Sequence, residues 1–150
     1  SFIPKLNKEN SYNLSPSQLR LWLFDKLNPE STAYNMYGTL NLNIPNIDID
    51  AFNRTINILI GRHEMLRTIF VEENGRPKQK VLSVEKLSYQ IELLNYSIEL
   101  EIGLAQHCFD LKTWPLFKIV LVQKGIENIT LAIKSYDLEF TNRAKIILEI

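Results

Sequence analysis

Apolar residues recur along this chain at helical and at strand spacings, and these spacings predict its elements. The clearest helical stripe is Phe52, Ile56, Leu59, His63 and Leu66, at intervals of four, three, four and three residues. It predicts a long helix opening at Asp48, with His63 on or beside the core-facing side. Two shorter helices are predicted by the same spacing, with stripes at Leu19, Trp22, Leu23 and Leu27 and at Ile98, Ile102, Ala105 and Phe109.

Polar residues mark where these helices begin. Ser15 precedes Pro16, which suits the first helical position, and Gln18 follows three residues after Ser15 as in a capping box. Asp48 and Ser97 stand at the corresponding places before the other two helices. The first helix is therefore predicted over residues 16–27, where Asn28-Pro29 ends it.

Shorter segments have the character of strands. Residues 34–42 alternate between two faces, of which one is predicted to be buried. A hairpin is predicted for 68–72 and 79–84 around Asn74-Gly75, lengthened or bulged by the residues through Pro77. The remaining strands are predicted at 89–94, 116–123 and 128–135, and a last helix at 138–150. Because the helix has no stop signal before Ile150, we expect a continuation beyond it. Strands interleaved with about four single helices predict an α+β fold with a mixed or antiparallel sheet.

Composition narrows the range of functions. The 150 residues predict one domain, and 17 basic against 17 acidic side chains disfavour nucleic acid or an anionic membrane as partner. A single cysteine excludes an internal disulfide and a cysteine-built metal site. No apolar run reaches the ~18 residues of a membrane span, and no secretory leader is visible at Ser1, so we expect a cytoplasmic location.

Few residues suggest chemistry by themselves. His63-Glu64 lacks the second histidine of a helical zinc site. His107 and Cys108 are neighbours that would point about 100° apart on a helix, so a half-buried helical thiol is predicted there. Arg67 follows the long helix and opens a strand, where a buried guanidinium needs an anionic partner. That partner is either a carboxylate in a structural ion pair or the phosphate or carboxylate of a ligand.

Two segments carry a resemblance to a known family. Residues 14–23, Leu-Ser-Pro-Ser-Gln-Leu-Arg-Leu-Trp-Leu, resemble the first motif of the condensation domains of nonribosomal peptide synthetases. Residues 62–70, Arg-His-Glu-Met-Leu-Arg-Thr-Ile-Phe, resemble the second motif nearly in full. Phe109-Asp110-Leu111 before Pro115-Leu116 also agrees with the family. The chain therefore resembles the N-terminal half of such a domain over residues 1–150.

The resemblance implies a fold and a chemistry. The fold is that of chloramphenicol acetyltransferase, in which two halves form a V and two carrier-bound thioesters meet between them. An amine attacks a thioester to form an amide, assisted by the second histidine of a His-His-x-x-x-Asp-Gly motif. No cofactor is implied on the chain itself, but partner carrier proteins would bring phosphopantetheine.

At the active-site motif this sequence departs from the family. Counting from the flanking anchors places the motif on a loop at residues 134–140, where Lys134 and Ser135 replace the histidines and Phe140 replaces the glycine. A serine does not relay a proton near neutral pH as imidazole does, so no catalytic residue is predicted. In the family the motif aspartate pairs with the arginine equivalent to Arg67, and Glu139 stands at its place. We therefore predict an Arg67–Glu139 ion pair.

Three functions follow from this resemblance. The chain is a truncated, non-catalytic scaffold or packing element in a nonribosomal peptide synthetase that makes an antibiotic or other secondary metabolite. Alternatively, it is an interaction module that binds a carrier protein, an adjacent domain such as an adenylation domain, or a second copy. The third alternative is half of an amide-forming acyltransferase that is completed in trans.

Overall fold

The fold comprises three α-helices and seven strands in the residues that this computed structural model describes, which are 11–42, 47–126 and 128–136. The helices are α1 (Pro16–Leu27), α2 (Ile49–Arg62) and α3 (Ile98–Gln106). The strands are β1 (Tyr12–Asn13), β2 (Asn35–Leu42), β3 (Thr68–Glu73), β4 (Arg76–Val81), β5 (Glu92–Asn95), β6 (Phe117–Gln123) and β7 (Ile129–Tyr136). Short 3-10 turns occupy Glu64–Arg67 and Val84–Lys86.

The strands form two sheets. The larger has the order β2-β7-β6-β5, in which only the β5–β6 pair is parallel, and the smaller has the order β1-β4-β3 and is antiparallel. This arrangement confirms the predicted α+β class with a mixed sheet. The helix predicted at 138–150 lies outside the described residues.

The helix starts form as predicted. Ser15 Oγ accepts from the Gln18 backbone N–H at 3.2 Å, while Gln18 Oε1 accepts from the Ser15 N–H at 2.8 Å. Asp48 Oδ1 accepts from the Ala51 N–H at 2.9 Å, and Ser97 Oγ likewise caps α3. Each side chain satisfies a backbone donor that the first helical turn leaves free.

The larger sheet is covered on both faces. Ile56 and Ile60 of α2 pack on one face, in a core that includes Leu121 and Ile133. Leu104 of α3 packs on the other face against Val120, Val122 and Ala132. Alternate residues of β6 and β7 thus serve opposite cores.

Two of the predicted helical stripes are wrong in part, since of their members only Trp22 and Phe109 are buried. On α1 the buried positions are Gln18, Leu21 and Trp22, whereas Leu19, Leu23 and Leu27 are 38%, 46% and 80% exposed. On α3 the buried residue is Leu104, while Ile98 and Ile102 are about half exposed and Phe109 lies beyond the helix. Both helices carry apolar residues on more than one side, so spacing alone does not decide which side docks.

Strand β2 and the hairpin also differ from expectation. Residues 36–41 of β2 are all exposed, so neither face is the buried one that the alternation predicted. The β3–β4 hairpin turns through Asn74 and Gly75, whose φ angles are +53° and +72°. Pro77 pairs directly with Glu72, so the expected bulge is absent from this ladder.

Candidate functional site

Lys134 and Ser135, the predicted replacements of the catalytic histidines, lie within strand β7. Lys134 stands opposite Tyr37 of β2 and Lys118 of β6, and Ser135 is likewise paired on both sides. The strand continues through Tyr136. This confirms the strand predicted over 128–135, whereas the overlapping prediction of a loop from Lys134 is wrong for residues 134–136.

The Lys134 ammonium is buried and bonded to the end of α3. Its Nζ donates to the carbonyls of Leu104 at 2.9 Å and of Ala105 at 2.6 Å. These belong to the last helical turn, where carbonyls lack helical partners and the helix dipole favours a cation. Burial lowers the pKa of Lys134, and the nearby Cys108 thiol acts against that shift. Lys134 of β7 thus caps the C-terminal end of α3.

Ser135 faces the opposite side of the sheet. Its exposure is 0%, and its Oγ has no hydrogen-bond partner among the described residues. It alternates with Lys134 and so lies on the α2 side with Ile133. The two predicted replacements therefore do not share a site.

Arg67 lies in the 3-10 turn between α2 and β3. Its Nη1 donates to the Leu82 carbonyl at 2.8 Å, and its Nη2 lies 3.4 Å from Glu64 Oε1. The Arg67 Nε is buried and has no partner within the described residues. Glu139 lies outside them, so the Arg67–Glu139 ion pair stays a prediction.

His63 stands at the end of α2 rather than on a continuous helical stripe. The helix ends at Arg62, and the His63 N–H donates to the Leu59 carbonyl at 2.8 Å as its cap. Leu66 remains buried because the 3-10 turn carries it back to the core, where its carbonyl accepts from Trp114 Nε1 at 2.9 Å. In the described part of the chain, no group of three or more His, Cys, Asp or Glu side chains could hold a metal ion.

His107 and Cys108 follow α3 instead of lying within it, so the predicted helical thiol is wrong. The Cys108 thiol donates to the Glu30 carbonyl at 3.2 Å. The His107 ring meets Phe109 edge-on at 4.8 Å. Burial, followed by the charges of Lys118 and Lys134, lowers the pKa of His107.

A cleft that the sequence did not reveal borders these residues. Its volume is about 570 Å³, and it is lined by His107 and Cys108, by Lys118 of β6, and by the aromatic side chains of Tyr89 and Trp114. The Tyr89 hydroxyl accepts from the Ile119 N–H at 2.8 Å, which satisfies the edge of β6 before β5 begins. Because the lining comes from separate stretches of the chain, no local motif could predict it.

A second missed feature is a carboxyl–phenol contact at the end of β7. Tyr136 is buried, and its pKa is raised by burial, by the charges of Asp25 and Tyr34, and by a hydrogen bond to Asp25. Burial and the charge of Asp110 raise the pKa of Asp25, while the Tyr136 hydrogen bond opposes that rise. The contact joins α1 to the end of β7, within the segment where the motif is predicted.

Comparison with known proteins identifies the family. The sequence profile of the condensation domain matches residues 8–135. The chain belongs to the condensation-domain family. The resemblance to this family is thereby confirmed, and both sequence motifs lie within the matched range. The match ends at Ser135, so Glu139 and Phe140 lie outside it.

Similar condensation segments occur in large synthetases. The chain is 32% identical over 129 residues to bacitracin synthase 3 of Bacillus licheniformis and 34% identical over 129 residues to surfactin synthase subunit 1 of Bacillus subtilis (strain 168). These alignments cover 85% and 84% of the chain but only 2% and 4% of the two relatives. The chain thus spans a small fraction of the length of the curated relatives it matches.

Solved condensation domains share the fold. The starter condensation domain of rhizomide synthetase superposes with a TM-score of 0.75 at 18% identity, covering 87% of this chain and 34% of that one. The first condensation domain of the calcium-dependent antibiotic synthetase gives 0.72 at 16% identity, covering 87% and 34%. The predicted chloramphenicol-acetyltransferase-like architecture is confirmed. Within the described residues of this condensation segment, no helix is long and apolar enough to cross a membrane.

Proposed function

We propose that this condensation segment is a non-catalytic structural element of a nonribosomal peptide synthetase in the cytoplasm. The observation that most supports this proposal is the hydrogen bonding of the buried Lys134 side chain. Its ammonium donates to the last carbonyls of α3, and the residue is 2% exposed. At a position where the family motif is expected to hold a histidine, this side chain stabilises the fold.

The chemistry of the neighbouring position supports the same proposal. A general base must lie within hydrogen-bond reach of the proton that it removes. Ser135 is fully buried on the α2 side of the sheet, and no imidazole among the described residues bonds to it. The two histidines of the chain are instead the α2 cap His63 and the cleft residue His107.

Condensation activity tests the proposal. The chain is mixed with the second half of a condensation domain from surfactin synthase and with two carrier proteins whose phosphopantetheine arms bear an acyl and an aminoacyl group. Amide product is measured by mass spectrometry, with an intact surfactin synthase condensation domain as positive control. We expect no product above the reaction without the chain. Product that requires the chain would overturn the non-catalytic proposal.

A second candidate function is the acyltransferase completed in trans, and His107 favours it. The His107 side chain lines the cleft, and burial lowers its pKa, which favours the neutral form. The backbone carbonyl of His107 accepts from Asn35 Nδ2 at 3.1 Å at the start of β2. A neutral imidazole in a cleft can act as a general base. In the same assay, this function predicts product that is lost in His107→Gln. Product lost in Ser135→Ala instead would assign the reaction to the motif position.

An interaction role has its own support on α1. Leu19, Leu23 and Leu27 recur every four residues and are all exposed, which makes an apolar stripe along the helix. Such stripes usually mark interfaces. Since the chain spans 2% of bacitracin synthase 3, the proposed occupant is an adjacent adenylation or carrier domain of the same synthetase. Binding of these domains to the chain, lost in Leu23→Asp and kept in Arg20→Ala, would support this role, and equal binding by both variants would refute it.

A further inference from the structure

One wall of the cleft contains Tyr89, which lies in a segment that joins neither sheet. Residues 88–91, termed the strap, precede β5 and belong to no helix or strand. Outside helices and strands, the backbone–backbone hydrogen bonds of the described residues include none to the strap. Buried backbone groups require hydrogen-bond partners, and Ile91 is only 5% exposed. The strap is therefore held by side chains.

Two asparagines of α2 supply these partners. Asn57 Nδ2 donates to the Tyr89 carbonyl at 2.8 Å, and Asn57 Oδ1 accepts from the Tyr89 N–H at 2.9 Å. Asn53 Oδ1 accepts from the Ile91 N–H at 2.7 Å. Because the two asparagines are four residues apart, their amides lie on one face of the helix. They bond alternate residues of the strap, as a neighbouring strand would.

The strap contacts β6 through the Tyr89 side chain instead of through its backbone. The ladder between β5 and β6 begins at the pair Glu92 and Val120. One residue earlier, the Tyr89 hydroxyl accepts from the Ile119 N–H at 2.8 Å and lies 3.4 Å from the Ile119 carbonyl oxygen. The backbones of the strap and of β6 are therefore separated at this level, and the cleft lies where they part.

The aromatic ring of Trp114 is fixed from the same part of the chain. Its Nε1 donates to the Leu66 carbonyl at 2.9 Å, and Leu66 belongs to the 3-10 turn that follows α2. The Trp114 ring meets the Tyr89 ring edge-on at 6.3 Å, and both rings contact Phe117. Contacts of this kind depend on the orientation of the rings. Helix α2 and its turn thus place both cleft-lining rings.

We propose that α2 and the turn after it hold the cleft open, with Asn57 and Asn53 as positioning residues that clamp the strap. Without the clamp, the strap opens locally as one unit while the sheet stays folded. The second family motif, residues 62–70, then has a role beyond the predicted Arg67 ion pair, because its Leu66 carbonyl anchors a wall of the cleft. The inference depends on none of the proposed functions. All of its contacts lie within residues 53–119, so it requires no free outer surface.

Amide hydrogen exchange measured by NMR tests whether the strap is one unit. Asn57→Leu removes both hydrogen bonds to Tyr89 and nearly keeps the side-chain volume. The amides of Ile91 and Ile119 keep their own acceptors, yet we expect them to exchange at least about tenfold faster than in the parent, while the amides of β7 keep their rates. A change confined to the Tyr89 amide, equal acceleration in β7, or an Ile91 amide that is unprotected in the parent overturns the proposal.

Two further variants keep this test decisive. Thr55→Val is the matched control, because Thr55 lies on α2 and its hydroxyl donates only to the Ala51 carbonyl of the same helix. It should leave the amides of the strap at their parent rates. If Asn57→Leu does not fold, Asn53→Leu removes a single hydrogen bond and should accelerate exchange of the Tyr89 amide. An unchanged Tyr89 amide in folded Asn53→Leu refutes the clamp.

Tryptophan fluorescence tests the link between the clamp and the cleft. The chain has two tryptophans, so a Trp22→Phe background leaves the fluorescence of Trp114 alone. In this background Asn57→Leu should raise the acrylamide quenching constant of Trp114, because the Tyr89 ring no longer covers it. Thr55→Val should leave the constant unchanged. Equal quenching in the parent and in Asn57→Leu would show that the clamp does not place the cleft wall, and would overturn the proposal.

Discussion

Replacing Lys134 by methionine tests the central structural observation. Methionine has nearly the volume of lysine and is one atom shorter, and it removes both hydrogen bonds to α3. The carbonyl of Leu104 is buried and would lose its donor, whereas the carbonyl of Ala105, an exposed residue, can turn to water. The perturbation thus isolates the role of the ammonium from that of packing.

The magnitude follows from opposing contributions. An unsatisfied buried acceptor costs about 1–3 kcal/mol, and the lost interaction with the helix dipole costs about 0.3–1 kcal/mol. Against this, the variant no longer buries a charge, the same effect that lowers the pKa of Lys134. We expect a net loss of about 1–2 kcal/mol in the free energy of unfolding, equivalent to about 2–8 °C in Tm for a chain of this size.

Urea unfolding of both proteins measures the difference. The matched control is Lys118→Met, because Lys118 lies directly opposite Lys134 on the same face of the sheet. Within the described residues no hydrogen bond or ion pair engages the Lys118 ammonium, so its replacement should change stability by less than about 0.5 kcal/mol. If Lys134→Met is as stable as the parent, the cost of burying the charge outweighs both hydrogen bonds, and the stabilising role assigned to Lys134 is refuted.

The pH dependence of stability is an independent test of the burial of the Lys134 charge. The pKa of Lys134 is lowered from its ordinary 10.5 in the folded state. Between the folded pKa and 10.5 the unfolded chain binds more protons, so this group makes stability rise with pH in that window. Below the window the cost of burying the charge is fully present. Lys134→Met should lack this rise, whereas Lys118→Met should keep it.

Other predictions concern the cap, two glycines and the untested ion pair. Ser15→Ala removes the acceptor for the first turn of α1, which is one half of the capping box, and should lower the free energy of unfolding measured in urea by about 1 kcal/mol. Gly75→Ala should destabilise by about 1 kcal/mol because its φ is +72°, whereas Gly103→Ala in α3, with no atom within 4 Å of the new Cβ, should stabilise by about 0.5–1 kcal/mol. A double-mutant cycle on Arg67→Met and Glu139→Gln should give a coupling energy of about 1 kcal/mol or more. Additive effects would refute the pair.

Short-range sequence features predict much of the fold. The cap of α1 and the turn at Asn74-Gly75 depend on side chains and dihedral angles within a few residues, so the sequence contains nearly all the information that they need. The strands β6 and β7 were predicted for a related reason. Both faces of these strands are buried, so continuous apolar runs mark them.

Burial was predicted less well because it depends on distant partners. On α1, Gln18 is buried since its side chain reaches Gln79 of β4 at 3.5 Å, while the apolar Leu23 is left exposed. On β2 the alternation of polar and apolar residues is real, but within the described residues α2 and α3 pack on the two central strands, and residues 36–41 stay exposed. No periodicity within a segment reveals how far its neighbours extend.

The candidate site shows the same limit most clearly. Counting from sequence anchors places Lys134 at the start of a loop, although the apolar run predicts a strand over 128–135, because neither signal tells where the strand ends. The structure keeps Lys134 in β7, where its four-carbon side chain crosses to the carbonyls at the end of α3. A histidine at this position would be too short to make the same two bonds and would have to be neutral to be buried without cost. The lysine is therefore better explained by the helix end that it completes than by the chemistry that a histidine would have performed.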